Sequence, residues 1–242
     1  MNEGNDLQAI SGVDLMRMEI PQKQYCIQDV LPQGLNVLFC VEMDYARSLA
    51  MGLALRVVEG ERLWGKGVQR GPVLYMVHQD TLAATRNRLV SMTKRVPDDL
   101  YIGVMTESTM ELVLSAVPEF MESNPELSLV VVEVDTPVAY TSRTLYAPGE
   151  LQEQYTRLKE LAQEKNITIL IVQKDVQYHS SLRDYGEEES VSISEGVDCC
   201  FELDLPSVYD NKSDLKRTSR IYGNDRWKIK FSRKPQRWRG AK

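Results

Sequence analysis

The chain has 242 residues, 43% of them hydrophobic and 26% charged, and a net charge of -6. That length lets one large domain bury its own core without staples, and the composition is that of a soluble globular protein. The longest apolar runs, residues 127–132 and 167–172, are strand-length and fall far short of the ~20 residues of a membrane helix.

The acidic, polar residues 1–8 show no basic-then-apolar leader pattern, so 1–13 read as a flexible N-terminus and no membrane partner is expected. Residues 34–39 read as a buried strand and 46–61 as a helix, with apolar positions at Leu49, Leu53, Val57 and Val58. Gly65, Gly67, Gly71 and Pro72 punctuate a loop, and 73–77 form the next strand. Asp80 is placed to cap a helix to about residue 94, 100–104 make a short strand, and Ser108 is placed to cap a helix to 123. Residues 127–134 are almost continuously apolar, as suits a parallel strand covered on both faces. A Tyr-rich loop, 138–148, leads to an amphipathic helix over 149–165, with Leu151, Tyr155, Leu158 and Leu161 on one stripe. Residues 167–172 are another buried strand, and 173–195 a long polar loop.

After Gly196 the texture changes to short strands at 199–205, 217–222 and 226–232, an antiparallel end. Alternating strands and helices before it predict an α/β domain with a mostly parallel sheet over 14–232. Charge is uneven along the chain. Twelve Lys/Arg against two Asp make residues 212–242 carry +10, which leaves -16 on the rest. Cys26, Cys40, Cys199 and Cys200 show no metal-ligand spacing, so no zinc site is expected and a reducing cytoplasm is. His78 and His179 have no matching ligand set either.

The order of features resembles the RepA-like replication ATPases of the RecA superfamily. Asp14-Leu-Met-Arg-Met-Glu-Ile-Pro21 and Val30-Leu-Pro-Gln-Gly-Leu35 resemble the segments that precede their first strand. Val73-Leu-Tyr-Met-Val-His-Gln-Asp80 is similar to their second strand, Leu129-Val-Val-Val-Glu-Val-Asp-Thr136 to their Walker B strand, and Ile167-Thr-Ile-Leu-Ile-Val-Gln173 to the strand ending in a polar sensor. Residues 190–198 are similar to their Ser/Gly-rich segment before a late strand. The resemblance covers about residues 14–205. It implies a RecA-like P-loop NTPase fold, hexameric assembly and ATP with magnesium as cofactor.

The family's phosphate loop, G-x-x-x-x-G-K-[ST], cradles phosphates on backbone N–H groups, with the Lys on the phosphates and the hydroxyl on Mg²⁺. Here the strand runs into Cys40-Val-Glu-Met-Asp-Tyr-Ala-Arg47-Ser48. Aligned without a gap, Cys40 and Tyr45 replace the glycines, Ala46 the lysine and Arg47 the hydroxyl residue. One insertion instead pairs Arg47 with the lysine and Ser48 with the hydroxyl, without restoring the glycines. Glu42 and Asp44 add negative charge where a triphosphate sits. Gln79 stands where the family has a catalytic Glu and cannot act as a general base. Asp135 and Thr136 match Walker B, with Asp80 and Gln173 as further polar positions, and Glu133 shares a strand face with Asp135. Arg47 is expected to pair with Glu133 or Asp135, so that the chain's own cation takes a metal's place.

Three readings stay open. They are a hydrolysis-deficient binding or assembly module in plasmid, phage or mobile-element DNA replication, a working ATPase or helicase using Arg47, Ser48 and Asp135, and a protein-interaction module that does not bind DNA. The basic tail, 233–242, offers Arg233, Lys234, Arg237, Trp238 and Arg239 to single-stranded or duplex DNA, cations for phosphates and an aromatic ring for stacking. Docking on the acidic body of a neighbouring subunit is its competing use.

Overall fold

Apolar runs this long cannot stay in water, and in the computed structural model they become the middle of one sheet. The structure describes residues 10–18, 24–78, 81–106, 110–134, 148–174, 196–233 and 236–240. In chain order the elements are α1 (Gly12–Arg17), β1 (Tyr25–Ile27), β2 (Leu31–Pro32), β3 (Gly34–Cys40), α2 (Met43–Glu59), β4 (Val73–His78), α3 (Leu82–Met92) and β5 (Leu100–Met105). Then come α4 (Met110–Ser123), β6 (Leu129–Val134), α5 (Pro148–Glu164), β7 (Thr168–Lys174), β8 (Cys199–Leu203), β9 (Lys212–Thr218), β10 (Asp225–Arg233) and β11 (Gln236–Gly240).

The described residues form a nine-stranded sheet in the order β11-β10-β9-β8-β3-β7-β6-β4-β5, beside a small β1-β2 hairpin. From β8 to β5 every pairing is parallel. From β8 outward to β11 every pairing is antiparallel. This is the expected α/β architecture with a mostly parallel sheet and an antiparallel extension.

Period-two alternation divides the core between the two faces. Leu38, Tyr75, Val131 and Val172 face α2, and with Leu215 and Ile229 of the extension they form one apolar cluster. Leu35, Val37, Val130, Val132 and Ile171 face α4 and α5, with Tyr155, Leu158 and Leu161 of α5 packed on them.

Two glycines sit where only glycine fits. Gly34 opens β3 at φ +101°, and a Cβ there would lie 2.3 Å from the Asp198 carboxylate. That carboxylate accepts from the Leu35 N–H at 2.9 Å and pairs with Lys159 at 3.0 Å. Gly60, at φ +67°, ends α2 in the left-handed conformation and sends its N–H back to the last turn.

Some boundaries differ from the sequence reading. The helix expected from 46 starts at Met43. Thr81, not Asp80, immediately precedes α3. The strand expected at 217–222 lies earlier, as β9, because residues 219–224 are a turn. There the Ser219 hydroxyl accepts from the N–H groups of Ile221 and Tyr222, and Gly223 has φ +77°. The strand expected at 226–232 is β10, and β11 pairs outside it, so that β10 is an interior strand. Gln79, Asp80, Ser108, Asp135, Thr136, His179, Lys234 and the loops 138–147 and 175–195 lie outside the described residues.

Candidate functional site

The strand-to-helix turn after β3 is short. β3 ends at Cys40 and α2 begins at Met43, so Val41 and Glu42 alone connect them. Glu42 is extended, at φ -111° and ψ 106°, and none of residues 40–48 has a positive φ. A cradle of converging N–H groups depends on positive-φ residues and close backbone approach, which glycine supplies most readily. Cys40, Tyr45 and Ala46, which the ungapped alignment sets against glycine and lysine, are packed side chains. Cys40 is buried in the core, Ala46 is fully buried, and Tyr45 stacks edge-on to Phe231 at 4.9 Å and Trp238 at 6.1 Å.

Arg47 stands on the second turn of α2 and faces β6. Its Nε lies 3.1 Å from Oε2 of Glu133, whose side chain is 0% exposed. The contact is an ion pair by distance, without the alignment of a hydrogen bond. Arg88 of α3, 5% exposed, approaches the other oxygen of Glu133 at 3.3 Å and donates to it. The Tyr75 hydroxyl of β4 donates to that same oxygen at 2.7 Å. Asp44, 89% exposed, lies 3.8 Å from Arg47 and 3.9 Å from Arg88. Two guanidiniums therefore share one buried and one exposed carboxylate. Burial, and then the negative charge of Glu133, push the Tyr75 hydroxyl well above its ordinary pKa, so it remains a neutral donor. A carboxylate this deep is tolerable only when paired and hydrogen-bonded, and these three side chains do both.

No family model matches the sequence, and no curated protein matches it. The fold is similar to that of a solved DnaB-like replicative helicase, described with its interactions with primase, at a TM-score of 0.60 and 12% identity. The similarity covers 87% of this chain, which spans 57% of the helicase chain. The fold is RecA-like.

Within that RecA-like frame, the other residues singled out in the sequence fall in different places. Ser48 is buried and lines an open groove of about 550 Å³ with Glu42, Asp44 and Tyr45, opposite Leu205 and Val208. Arg47 and Ser48, adjacent on a helix, thus point to different surroundings, Arg47 to Glu133 and Ser48 to the groove. Gln173 is buried on β7, between β3 and β6 in the sheet, but on the α5 face, where it accepts from the Tyr155 hydroxyl at 3.0 Å. It does not join Glu133. Among the described residues no group of three His, Cys, Asp or Glu side chains could hold a metal. None of their helices is long and apolar enough to cross a membrane.

Part of the expected tail belongs to the sheet. Trp238 is half-buried, donates its indole N–H to the Tyr45 carbonyl at 3.2 Å, and lies 5.0 Å from the Phe231 ring. Arg237 donates to the Met92 carbonyl. Arg233 and Arg239 are exposed. The ring expected to stack on bases is engaged in packing against Tyr45.

Sequence reading missed Arg88 and Tyr75. They stand 45 and 58 residues from Glu133 and meet it only through the β4-β6 pairing and the placement of α3. A faint signal existed. Arg88 falls on the same stripe of α3 as Thr85, Leu89 and Met92, and a cation on a buried stripe requires an acid inside.

Proposed function

We propose that this chain is a RecA-fold module of DNA replication in plasmids, phages or mobile elements, retained for binding and assembly rather than for ATP hydrolysis. The observation that carries the reading is the capture of Glu133 by Arg47 and Arg88, both supplied by the chain itself. Arg47 follows directly on the position aligned with the phosphate-loop lysine. Its guanidinium and that of Arg88 take up the charge beside the Walker B end of β6, where a hydrolytic site would need Mg²⁺. The two-residue turn with no positive φ supports the same conclusion, because it offers no nest for a triphosphate. These residues do not fit a magnesium–nucleotide complex.

Replication as the setting, and assembly into a ring of like subunits, rest on the resemblance to RepA-like ATPases and on the fold shared with a replicative helicase. A RecA-type site is completed across subunits, so loss of hydrolysis leaves the interface available.

The test is magnesium-dependent ATP turnover by the purified chain, with Asp135→Ala alongside. The reading expects no turnover above that of the variant. Turnover that Asp135→Ala abolishes would establish instead a working ATPase that uses Arg47, Ser48 and Asp135.

A further inference from the structure

The three-stranded extension β9–β11 has one covered face and one open face. Leu215, Ile229 and Phe231 point to the α2 side and are buried. Their neighbours Lys212, Lys228, Lys230 and Arg239 point the other way and are exposed. The helices of that second side, α4 and α5, pack on the parallel half, and the apolar cluster they form includes no residue of β9, β10 or β11.

Strand register sets the exposed cations in rows. Lys230 lies directly opposite Lys212 on one side and Arg239 on the other, so three cations sit abreast across three strands. Neighbouring strands are about 4.8 Å apart, and like charges placed directly opposite each other destabilise a sheet. Arg226 lies opposite Lys216 in a second row.

Some of these charges are answered locally. Asp214 takes Arg226 at 2.5 Å, Asp204 takes Lys216 at 3.1 Å, and Asp210 lies 3.7 Å from Lys212. Lys228, Lys230 and Arg239 have no carboxylate within ion-pair distance among the described residues. Asp210 beside Lys212 and Asp214 opposite Lys228 offset part of this charge, and the excess of cations left around Lys230 and Arg239, in a chain of net charge -6, forms a surface that suits an external polyanion.

We infer that the open face of β9–β11, centred on Lys228, Lys230 and Arg239, is a docking surface for the phosphate backbone of duplex DNA. The aromatic side chains of these strands decide for a duplex over a single strand. Trp227 and Phe231 face the α2 side, and Trp238 packs against Tyr45, so the open face presents cations and no stacking platform. A duplex, with one charge per ~1.7 Å of axis, rewards most a surface that offers an excess of cations without stacking rings. Contact of this kind is independent of base sequence and of whether nucleotide binds elsewhere.

The test is fluorescence anisotropy of a short labelled duplex against the full chain, over a salt series from about 50 to 200 mM. Three phosphate contacts at a slope of about -0.9 each predict a loss in affinity of roughly 40-fold across that range. The triple variant Lys228→Gln, Lys230→Gln, Arg239→Gln is expected to flatten the log–log slope by about 2.7, and Arg239→Gln alone by about 0.9. A cooperative unfolding transition with a midpoint no lower than that of the wild type verifies that each variant is folded. Failure of the chain to bind duplex at the lowest salt overturns the inference. So does an unchanged slope in the folded variants, or tighter binding of a single strand of equal length.

Discussion

The parallel and antiparallel halves of the sheet treat charge in opposite ways. In the parallel half Glu133 is fully buried, and the chain brings two guanidiniums and a phenol to it from α2, α3 and β4. In the antiparallel half Lys228, Lys230 and Arg239 stand in solvent and make no ion pair among the described residues, although Asp214 lies opposite Lys228. The first half pairs its buried carboxylate with the chain's own cations. The second has kept its charge available.

The largest expected effect tests the closed half. Glu133→Ala leaves Arg47 and Arg88 without their buried partner, and breaking such a pair costs about 3–5 kcal/mol. Urea unfolding should show this as a lower midpoint at an unchanged slope. Asp44→Ala touches the same two arginines from solvent, and its cost should stay within about 0.5 kcal/mol. Equal effects of the two substitutions would mean that burial is not what sets this cluster apart.

A smaller contrast lies within β10. Ile229→Ala removes a fully buried side chain from the covered face and should cost about 2–4 kcal/mol. Lys228→Ala, one residue earlier on the open face, should fall within about 0.5 kcal/mol of wild type. Thermal or urea unfolding of the two variants checks whether the extension is a true part of the cooperative core.

The smallest effect is one of pH. A hydrogen bond from Arg226 holds the Asp214 carboxyl below its ordinary range. A depressed folded-state pKa adds stability that is present above the unfolded value of about 4 and is lost as pH falls through the folded one. Asp214→Asn should therefore be less stable than wild type at neutral pH, and the gap should close below about pH 4. The difference should be small, because Asp214 is a partly exposed surface partner.

Much of the parallel half was legible in the sequence, because β3, β4, β6 and β7 are apolar on both faces and stand out as continuous runs. Of the site, the pairing of Arg47 with Glu133 was legible as one of two options from an acid in a buried strand and a cation on the helix after the first strand, while Asp135, the other option, lies outside the described residues. Arg88 and Tyr75 were not, since neither has a local pattern that names a partner so distant in sequence. β9 was misplaced for a related reason. Its inward positions are Ser213, Leu215 and Arg217, so a polar side chain and a buried arginine blur the alternation. Arg217 is tolerated there because it donates to the carbonyls of Asp29 and Val30 and lies over Trp227 at 5.3 Å. With β9 misplaced, Lys212 fell outside any strand, and the row it forms with Lys230 and Arg239 could not be read.

The measurement that bears most directly on the account is the thermal unfolding midpoint with and without millimolar Mg·ATP. A ligand held only by the folded state, at a hundred times its dissociation constant, stabilises by about 2.7 kcal/mol and raises the midpoint visibly. The account predicts no shift with ATP or ADP, with or without magnesium, because Arg47 and Arg88 are already paired with Glu133. A clear magnesium-dependent rise with ATP would contradict it and would show that the turn after β3 still holds phosphates.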